Sequence, residues 1–340
     1  MKSIIDAINL EKELHPQATS QDISKLIYQA CFGNGHMITS VKDFLDQLKQ
    51  EVVQDNSKPS IQNIGNGYVR VSCSAMKKKE ELYNLLFVHS SKQDPDTKLY
   101  QSLLMKYDLQ PSNNLHHSKV YVDTYDPHYR IIKKEYIDYM KGIEFVYKQI
   151  QNNERTLICI EGPCASGKTT FSNILHELFS LTIFHMDDYF LQPFQRVPER
   201  LEEIGGNVDY ERVKKEIFDP WSKQENIVYQ RYNCQTLKLE EPIHVPYKDI
   251  MVIEGSYSCH PYFKEFDTRK IWINLDSEEQ INRLEKRSKN LLERFIKEWI
   301  PKENAYFKNH DHEGSERSFL SVSLLSIFQR FHKEECYCCR

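Results

Sequence analysis

The spacing of apolar residues along the chain changes near residue 150. Before that point, apolar residues recur at every third or fourth position, as from Ile23 to Cys31, and this spacing predicts amphipathic helices. After it, short apolar runs rich in β-branched residues alternate with helical patterns, which predicts a parallel sheet flanked by helices. The pattern therefore predicts a first domain at 1–150, a second at 151–310, and a tail at 311–340 with a helix and a frayed end.

The first 150 residues predict a mostly helical α+β domain. Thr19 and Asp22 form a capping-box pattern ahead of one helix, and the glycines of 33–35 end it. The remaining elements are a glycine-rich turn that leads into a strand and four further helical stretches: the turn at 64–67, the strand at 68–73, and helices at 41–53, 77–89, 96–107 and 134–150.

Two patches of this domain could bind phosphate or a metal ion. One is 32–37, which holds His36, and the other combines 116–118 with 126–130, which are rich in histidine and arginine. Their spacing is not that of a metal site, so helix capping and surface hydrogen bonding are the favoured explanation.

Four strands are predicted in the second domain, at 156–161, 182–186, 250–254 and 270–275. The first leads into a loop that fits G-x-x-x-x-G-K-[ST], followed by apolar residues at helical spacing. Small residues let backbone N–H groups wrap phosphate oxygens, and the helix N-terminus adds a positive pole. The motif predicts ATP and Mg²⁺ as cofactors, with ATP bound by Gly162, Cys164, Ala165, Ser166, Gly167, Lys168, Thr169 and Thr170.

Acidic residues follow the ends of the later strands. Asp187 and Asp188 come directly after the second strand, and Glu254 ends the third. Because the carboxyl ends of parallel strands meet at one edge of a sheet, these carboxylates can face the phosphate loop, where Thr169 and Glu254 would hold Mg²⁺. Simpler explanations exist, since aspartate is common where strands stop and Asp209 also fits the N-cap of a helix.

In order along the chain, these stretches resemble the uridine kinase and phosphoribulokinase-like branch of the P-loop kinases: Asp-Asp-Tyr-Phe at 187–190, Asn-Val-Asp at 207–209, Tyr232, and Val-Ile-Glu-Gly at 252–255. The resemblance covers residues 155–307. It implies that Asp187 contacts the acceptor hydroxyl and helps organise Mg²⁺, and that Glu254 lies near the metal. It further implies that Asp209 binds the sugar hydroxyls of the acceptor and that Tyr232 lies beside the acceptor. Asp188 is predicted to bind the acceptor together with Asp209 and Tyr232.

A charged helix follows the fourth strand. Ser277 and Gln280 form a capping-box pattern at its start, Arg283 and Arg287 share one face, and Arg294 lies just beyond. In the family this region is a lid whose arginines close on the transferring phosphates. The resemblance thus implies that Arg283 and Arg294 bind ATP and that Arg287 is catalytic, whereas a solvated charged face explains the same residues equally well.

Two features depart from the family pattern. The uridine-binding branch has a histidine five residues after the aromatic residue, where this chain has Leu237, and this weakens the case for a pyrimidine base. The family sheet also ends with a short apolar strand, whereas the apolar positions from Phe319 to Phe331 predict an amphipathic helix.

With 340 residues, 40% of them hydrophobic and 28% charged, the chain has the composition of a globular protein. The net charge of −4 gives no general attraction to nucleic acid or an anionic membrane, so neither is expected as a partner. Nine cysteines, most of them isolated in apolar runs, indicate reduced thiols and a cytoplasmic location; the group at 336–339 lacks a second ligand cluster for zinc. No membrane span or signal segment is predicted, and the oligomeric state cannot be read from the pattern.

Together these features predict a cytoplasmic ATP-dependent kinase that phosphorylates a hydroxyl of a small, ribose-containing acceptor. Uridine kinase-like activity is the leading version, with Lys168, Asp187 and Arg287 as catalytic groups. Two alternatives stay open. One is a nucleotide-dependent regulatory ATPase with residues 1–150 as its effector module, and the other is a kinase regulated by a ligand of that module.

Overall fold

The structure, a computed structural model, describes residues 1–33, 41–55, 57–90, 96–111, 116–309 and 319–323. Its contacts divide the chain into two compact units. We call Met1–Met140 the N-terminal unit and the described residues from Lys141 onward the phosphate-loop unit. The division falls before the predicted boundary at residue 150, because the helix across 140–151 belongs with the second unit.

The N-terminal unit combines helices with a three-stranded antiparallel sheet in the order β1-β2-β3. Helices α1 and α2 pack on β1, and α4 packs on β3. Its elements are α1 (Lys2–Leu14), α2 (Ser20–Phe32), α3 (Val41–Gln54), β1 (Ile61–Gly65), β2 (Tyr68–Ser72), α4 (Glu80–Ser90), α5 (Thr97–Lys106), α6 (Lys119–Tyr125), β3 (Tyr129–Lys133) and α7 (Lys134–Asp138).

The α+β prediction for this unit is confirmed, with additions. The capping box of α2 forms as expected, since the Thr19 backbone N–H and hydroxyl both donate to Asp22 Oδ2, at 2.9 and 2.8 Å. The single helix predicted at 134–150 is broken at Tyr139, and α1, α6, β1 and β3 were not predicted. The glycine-rich end of α2 beyond Gly33, with His36, lies outside the described residues.

The phosphate-loop unit is built on a five-stranded parallel sheet in the order β12-β11-β4-β10-β5, with helices around it. This confirms the predicted α/β fold of the P-loop NTPase type. Its larger elements are α8 (Met140–Gln151), β4 (Thr156–Glu161), α9 (Lys168–Phe179), β5 (Thr182–His185), β10 (Ile250–Glu254), β11 (Thr268–Asn274), α13 (Ser277–Ser288), α15 (Ile300–Asn309) and β12 (Phe319–Ser323).

Short elements connect the larger ones. A helix runs without a break through α11, a π-helical segment and α12, and a second runs through α14, a π-helical segment and α15. The connecting elements are α10 (Pro198–Glu202), α11 (Tyr210–Val213), the π-segment Lys214–Phe218, α12 (Asp219–Ser222), β6 (Ile227–Tyr229), β7 (Tyr232–Asn233), β8 (Lys238–Leu239), β9 (Ile243–Val245), α14 (Leu292–Arg294) and the π-segment Phe295–Trp299.

Helix α8 packs closely on α9, and a glycine makes this possible. A Cβ atom on Gly142 would lie 2.6 Å from the ring of Phe171. Tyr147 also stacks on Phe179, with ring centroids 6.2 Å apart. The apolar face of α8 is therefore part of the phosphate-loop unit, and the boundary moves to its N-terminal end.

The two faces of strand β4 have different neighbours, because successive residues of a strand point in opposite directions. Leu157 and Cys159 pack in a core cluster with Ile253, Phe218 and Tyr306. The next residue on that face is Glu161, a charged group that directly follows this apolar core. None of the helices in the described ranges is long and apolar enough to cross a membrane.

The helix predicted from Phe319 to Phe331 is wrong over the residues that the structure describes. Phe319–Ser323 form β12, whose Leu320 and Val322 pair with Ile271 and Ile273 of β11. Serines at every second position match the two-residue period of a strand, and pairing satisfies the open backbone groups of β11. Residues 324–331 and the cysteines of 336–339 lie outside the described residues.

Candidate active site

The phosphate loop connects the end of β4 to the start of α9. Gly162 has φ of +148°, and a Cβ there would lie 2.5 Å from the carbonyl oxygen of Ile273. Any other residue would both strain this backbone and collide with β11. The loop ends at the N-terminus of α9, where free backbone N–H groups and the helix dipole favour an anion.

Lys168 is the first residue of α9, and its ammonium lies over the start of the phosphate loop. It donates to the carbonyl oxygens of Gly162 and Pro163, at 2.7 and 2.9 Å, and to the hydroxyl of Ser256 at 3.4 Å. The side chain is only 8% exposed. A buried cation at this position can meet the charge of a phosphate group bound by the loop.

Glu254 ends β10 on the same face of the sheet as α9. Its Oε1 accepts a hydrogen bond from the Thr169 hydroxyl at 3.0 Å and lies 2.6 Å from Nδ1 of His185, at the end of β5. This short contact with Glu254 is the main reason why the pKa of His185 is raised. The ends of β10 and β5 and the first turn of α9 therefore meet around one carboxylate.

Asp187 follows β5, and its side chain is exposed. Loss of hydration and the nearby charge of Glu254 raise the pKa of Asp187, whereas Lys168, His185 and Arg287 act in the opposite direction. A carboxylate with a raised pKa next to cations is suited to accept a proton and to meet a metal ion.

Asp188 points to a different partner from its neighbour. Its Oδ2 lies 3.4 Å from Nε of Arg231, and its backbone carbonyl accepts a hydrogen bond from Arg212 at 2.9 Å. Partial burial raises the pKa of Asp188, and the charge of Arg231 opposes that shift. The two adjacent aspartates thus have separate surroundings.

Two of the predicted acceptor residues are engaged within the protein. Asp209 caps α11, since its Oδ1 accepts the backbone N–H of Arg212 at 3.0 Å, and its Oδ2 accepts a hydrogen bond from Gln195 at 2.8 Å. The hydroxyl of Tyr232 accepts a hydrogen bond from Arg196 at 2.9 Å. Asp209 and Tyr232 are 5% and 4% exposed, so the capping explanation for Asp209 is confirmed.

The three predicted lid arginines differ in their contacts. Arg283 reaches the phosphate loop, where its Nη1 lies 3.4 and 3.5 Å from the carbonyl oxygens of Ala165 and Ser166. Arg287 is exposed and acts on Asp187 through its charge. Arg294 instead pairs with Glu298 at 2.7 Å on its own helix. Arg283 therefore contacts the phosphate loop, and Arg294 has another partner.

A buried carboxylate that the sequence did not single out fixes the start of the phosphate loop. Glu161 is 0% exposed and accepts hydrogen bonds from the backbone N–H groups of Gly162, Tyr257 and Cys259, at 3.1, 3.2 and 3.1 Å. It also accepts one from the hydroxyl of Tyr306 at 3.1 Å. Burial raises the pKa of Glu161 to about 7, against the pull of Lys168 and these donors.

Two more residues outside the motif hold the loop. Glu303 of α15 accepts hydrogen bonds from the backbone N–H of Cys164 at 2.9 Å and from the Ser256 hydroxyl at 2.5 Å. Gln280 of α13 donates to the carbonyl oxygen of Cys164 at 3.0 Å. The predicted capping box of α13 is therefore wrong: Asp276 is the cap, which leaves Gln280 for the loop.

The sequence offered little signal for these supporting residues. Glu161 directly precedes the motif and repeats the Ile-Glu-Gly pattern of 253–255, which could have drawn attention to it. Likewise, His185 lies at the end of a strand, two residues before Asp187, which could have marked it as a site residue. Glu303 and Gln280 lie on helices more than a hundred residues away, where no local pattern distinguishes them from surface polar residues.

Among the described residues, no cluster of three histidine, cysteine, aspartate or glutamate side chains is arranged to hold a metal ion. The predicted set of Thr169, Asp187 and Glu254 contains only two such side chains and a hydroxyl. Glu254 and Thr169 are in direct contact, and Asp187 senses the charge of Glu254. Two oxygen donors of the kind that Mg²⁺ prefers, from Thr169 and Glu254, therefore lie together.

No protein-family model and no curated protein matches the chain. Among solved structures, it is similar to a possible uridine kinase from Bacillus stearothermophilus, with 18% identity over 52% of this chain and 96% of that chain, at a TM-score of 0.41. It is also similar to deoxyadenosine kinase from M. mycoides with bound dATP, with 16% identity over 54% of this chain and 99% of that chain, at a TM-score of 0.24. Similarity at this level adds nothing to the residue contacts described above.

Proposed function

We propose that the phosphate-loop unit is an ATP-dependent kinase that phosphorylates a hydroxyl group of a small acceptor. The observation that carries this proposal is the contact of Glu254 with both the Thr169 hydroxyl and His185, beside the lysine of the phosphate loop. Asp187 follows His185 by two residues. In phosphoryl transfer, a carboxylate beside the phosphate-binding lysine can orient the acceptor hydroxyl and accept its proton.

Mg²⁺ fits the oxygen donors at the end of β10. Thr169, Glu254 and Asp187 would hold it, directly or through water. Loss of hydration and, after it, the charge of Glu254 raise the pKa of Asp187, and a cation would offset that charge. When bound, the ion neutralises charge on the β- and γ-phosphates of ATP.

The side chains of the chain itself have distinct tasks in this proposal. The loop residues 162–170 bind the phosphates of ATP, and Lys168 exchanges its carbonyl partners for phosphate oxygens. Asp187 accepts the proton of the acceptor hydroxyl as the new O–P bond forms, and the bond to ADP breaks with its electron pair leaving on ADP. Arg283 and Arg287 stabilise the charge of the transferred group. Arg294 would have to leave Glu298 to take part.

The acceptor is proposed to lie beside Asp188, Asp209 and Tyr232. Arg231 lies beside Asp188 and Arg196 beside Tyr232, so hydrogen-bonding groups surround this position. Hydroxyl-rich acceptors suit such a surface, which supports a ribose-containing compound and a uridine kinase-like reaction. Leu237 in place of a family histidine leaves the base unspecified.

We place the enzyme in the cytoplasm with a small molecule as its partner. Four buried cysteines with free thiols support a reducing compartment: Cys31, Cys73, Cys159 and Cys259. The modest negative charge of the chain gives no support for a nucleic acid or membrane partner.

ATP consumption by the purified full chain tests the proposal. The protein is incubated with ATP and Mg²⁺, alone and with nucleosides, pantothenate, sugar phosphates or vitamin ribosides, and ADP formation is measured. At least one acceptor should stimulate turnover, and Lys168→Ala should reduce that turnover by orders of magnitude, because it removes the cation nearest the transferred phosphate. Turnover that no acceptor stimulates would support the regulatory ATPase instead.

A further inference from the structure

The N-terminal unit contains a network of buried polar side chains that the proposed kinase reaction does not use. One half of it surrounds Asp22 of α2, whose carboxylate is 0% exposed. Besides the two hydrogen bonds from Thr19, Asp22 accepts one from the Ser118 backbone N–H at 2.9 Å and one from its hydroxyl at 2.7 Å. His117 Nδ1 lies 2.8 Å away and completes the set. Five contacts leave this carboxylate no room for another donor.

The other half of the network surrounds Glu11 of α1, which is also 0% exposed. Glu11 accepts hydrogen bonds from Gln62 at 2.6 Å, from Tyr121 at 2.8 Å and from Nη1 of Arg70 at 3.0 Å. The remaining nitrogens of Arg70 donate to Oε1 of Gln29, at 3.0 and 2.9 Å. Glu11 and Gln29 thus fix the guanidinium of Arg70, which keeps its charge in the interior.

Lys25 lies between these two halves on α2, three residues after Asp22 and four before Gln29. Its side chain is half-buried, and it forms no hydrogen bond or ion pair anywhere in the described part of the chain. Partial burial and the charge of Arg70 lower the pKa of Lys25 to about 8, which Asp22 only partly offsets. The ammonium therefore has three donors and no acceptor among the described residues, since the carboxylate of Asp22, one turn before it on α2, is already occupied.

An aromatic surface continues from Lys25 along the same edge of α2. The half-buried residues of this helix are Gln21, Lys25, Tyr28 and Phe32, at the spacing of a single helical face. Tyr28 and Phe32 stack with ring centroids 4.5 Å apart, and Tyr100 meets the Phe32 ring edge-on at 5.1 Å. A planar group next to Lys25 would find a partly exposed aromatic surface to rest on.

We propose that Lys25, with the fixed charge of Arg70 near it, binds the oxyanion of a small molecule, a phosphate or carboxylate group, whose planar part rests on Tyr28 and Phe32. The oxyanion supplies the acceptor that Lys25 lacks. His117 adds no charge to this site at neutral pH, because burial and the cations Lys25 and Arg70 lower its pKa to about 4. The site lies wholly within the N-terminal unit and does not depend on the proposed kinase activity.

Protection of Lys25 from acylation tests this proposal in the intact chain. The protein is treated with a limiting amount of an amine-reactive ester at a pH near 8, and the acylation rate of each lysine is measured by peptide mass spectrometry. Phenyl phosphate, inorganic phosphate and benzoate are the probes, which separates the phosphate, carboxylate and ring contributions. At about ten times its Kd, a probe should slow acylation of Lys25 by about tenfold. Lys12, exposed on α1, is the matched control and should keep its rate.

Phenyl phosphate should protect at lower concentrations than inorganic phosphate, and it should raise the pKa that the acylation rates report for Lys25. Protection should be the same in the Lys168→Ala variant, in which the phosphate loop has lost its cation. An unchanged rate at Lys25 with all three probes, equal slowing of Lys12, or loss of protection in Lys168→Ala would each overturn the site. Equal affinity for phenyl phosphate and inorganic phosphate would overturn the aromatic contact.

Discussion

Two glutamates at the same edge of the sheet have different environments. Glu161 and Glu254 each stand between an isoleucine and a glycine at the end of neighbouring strands. Because Glu254 pairs with Ile160, it points to the face of α9, and Glu161 points to the opposite face. One carboxylate therefore meets Thr169 and the proposed metal site, and the other accepts backbone N–H groups that shape the loop.

Asp209 can be tested for its two roles separately. Asp209→Ala removes the cap of α11 and should lower the free energy of unfolding by about 1 kcal/mol, because capping aspartates are typically worth that amount. Asp209→Asn should restore most of this stability, since asparagine caps equally well. If Asp209 binds the acceptor through its charge, both variants should raise the acceptor KM with ATP affinity little changed.

Thermal unfolding and steady-state kinetics with the best acceptor give both values. An Asp209→Asn protein with the stability and the acceptor KM of the unmodified chain would show that this aspartate is only a cap.

Residues that follow a strand end or lie within the loop motif could be predicted from the sequence. Asp187 and Glu254 were found in this way, because parallel strands bring their carboxyl ends to one edge. Glu303 could not be found, since its role depends on how α15 packs against the loop. For Asp209 the sequence led to two predictions about the same carboxylate. The local pattern predicted a helix cap, which the structure contains, and the family resemblance predicted acceptor binding.

At the scale of elements, helices α13 and α15 both fasten the phosphate loop. Gln280 and Glu303 contact Cys164 from these two helices, and Arg283 contacts the loop further along. Arg287 lies in the last turn of α13, and Arg294 ends α14, which lies between the two helices. If these arginines move towards ATP, α13 and α15, which already contact the loop, limit that movement.

Replacing Glu303 tests whether α15 supports the loop. Glu303→Ala leaves the backbone N–H of Cys164 and the hydroxyl of Ser256 without their acceptor. Loss of a buried partner typically costs about 1 to 3 kcal/mol, so the free energy of unfolding should fall by that amount. The KM for ATP should rise severalfold. The neighbouring variant Lys302→Ala is the matched control and should change the KM little; equal effects of both variants would contradict a specific role for Glu303.

Most of the sheet could be predicted from apolar runs, and its last strand could not. The segment from Phe319 contains both a two-residue alternation and apolar positions at helical spacing. The segment forms a strand because the open edge of β11 pairs with β12, through Ile271 and Ile273. A pairing partner that lies far away in the sequence is invisible to a local pattern.

At the scale of the whole molecule, the chain consists of two units with their own cores. The boundary predicted at residue 150 differs from this division, because an amphipathic helix such as α8 does not reveal which domain covers its apolar face. Gly142 and Tyr147 of α8 both contact α9, so this apolar face packs within the phosphate-loop unit.

The assignment of α8 predicts how truncated chains behave. A chain that begins at Tyr139 retains α8 and should fold and bind ATP. One that begins at Gln151 exposes the apolar surface of α9 around Phe171 and should aggregate or unfold at a lower temperature. Thermal unfolding with and without ATP measures both. Nucleotide binding by the shorter chain equal to that of the longer one would contradict a structural role for α8.

The most direct test of the kinase mechanism is the effect of Asp187→Asn on phosphorylation of the best acceptor. This change keeps the shape of the side chain and removes the charge that accepts a proton and meets Mg²⁺. The kcat for acceptor phosphorylation should fall by about a hundred- to ten-thousand-fold, the usual range for general-base assistance. ATP binding, measured by titration of the same protein, should weaken far less, because the loop supplies most of its contacts. Asp267→Asn, at a carboxylate that is 90% exposed, is the matched control. An Asp187→Asn enzyme with unchanged acceptor kinetics would contradict the mechanism.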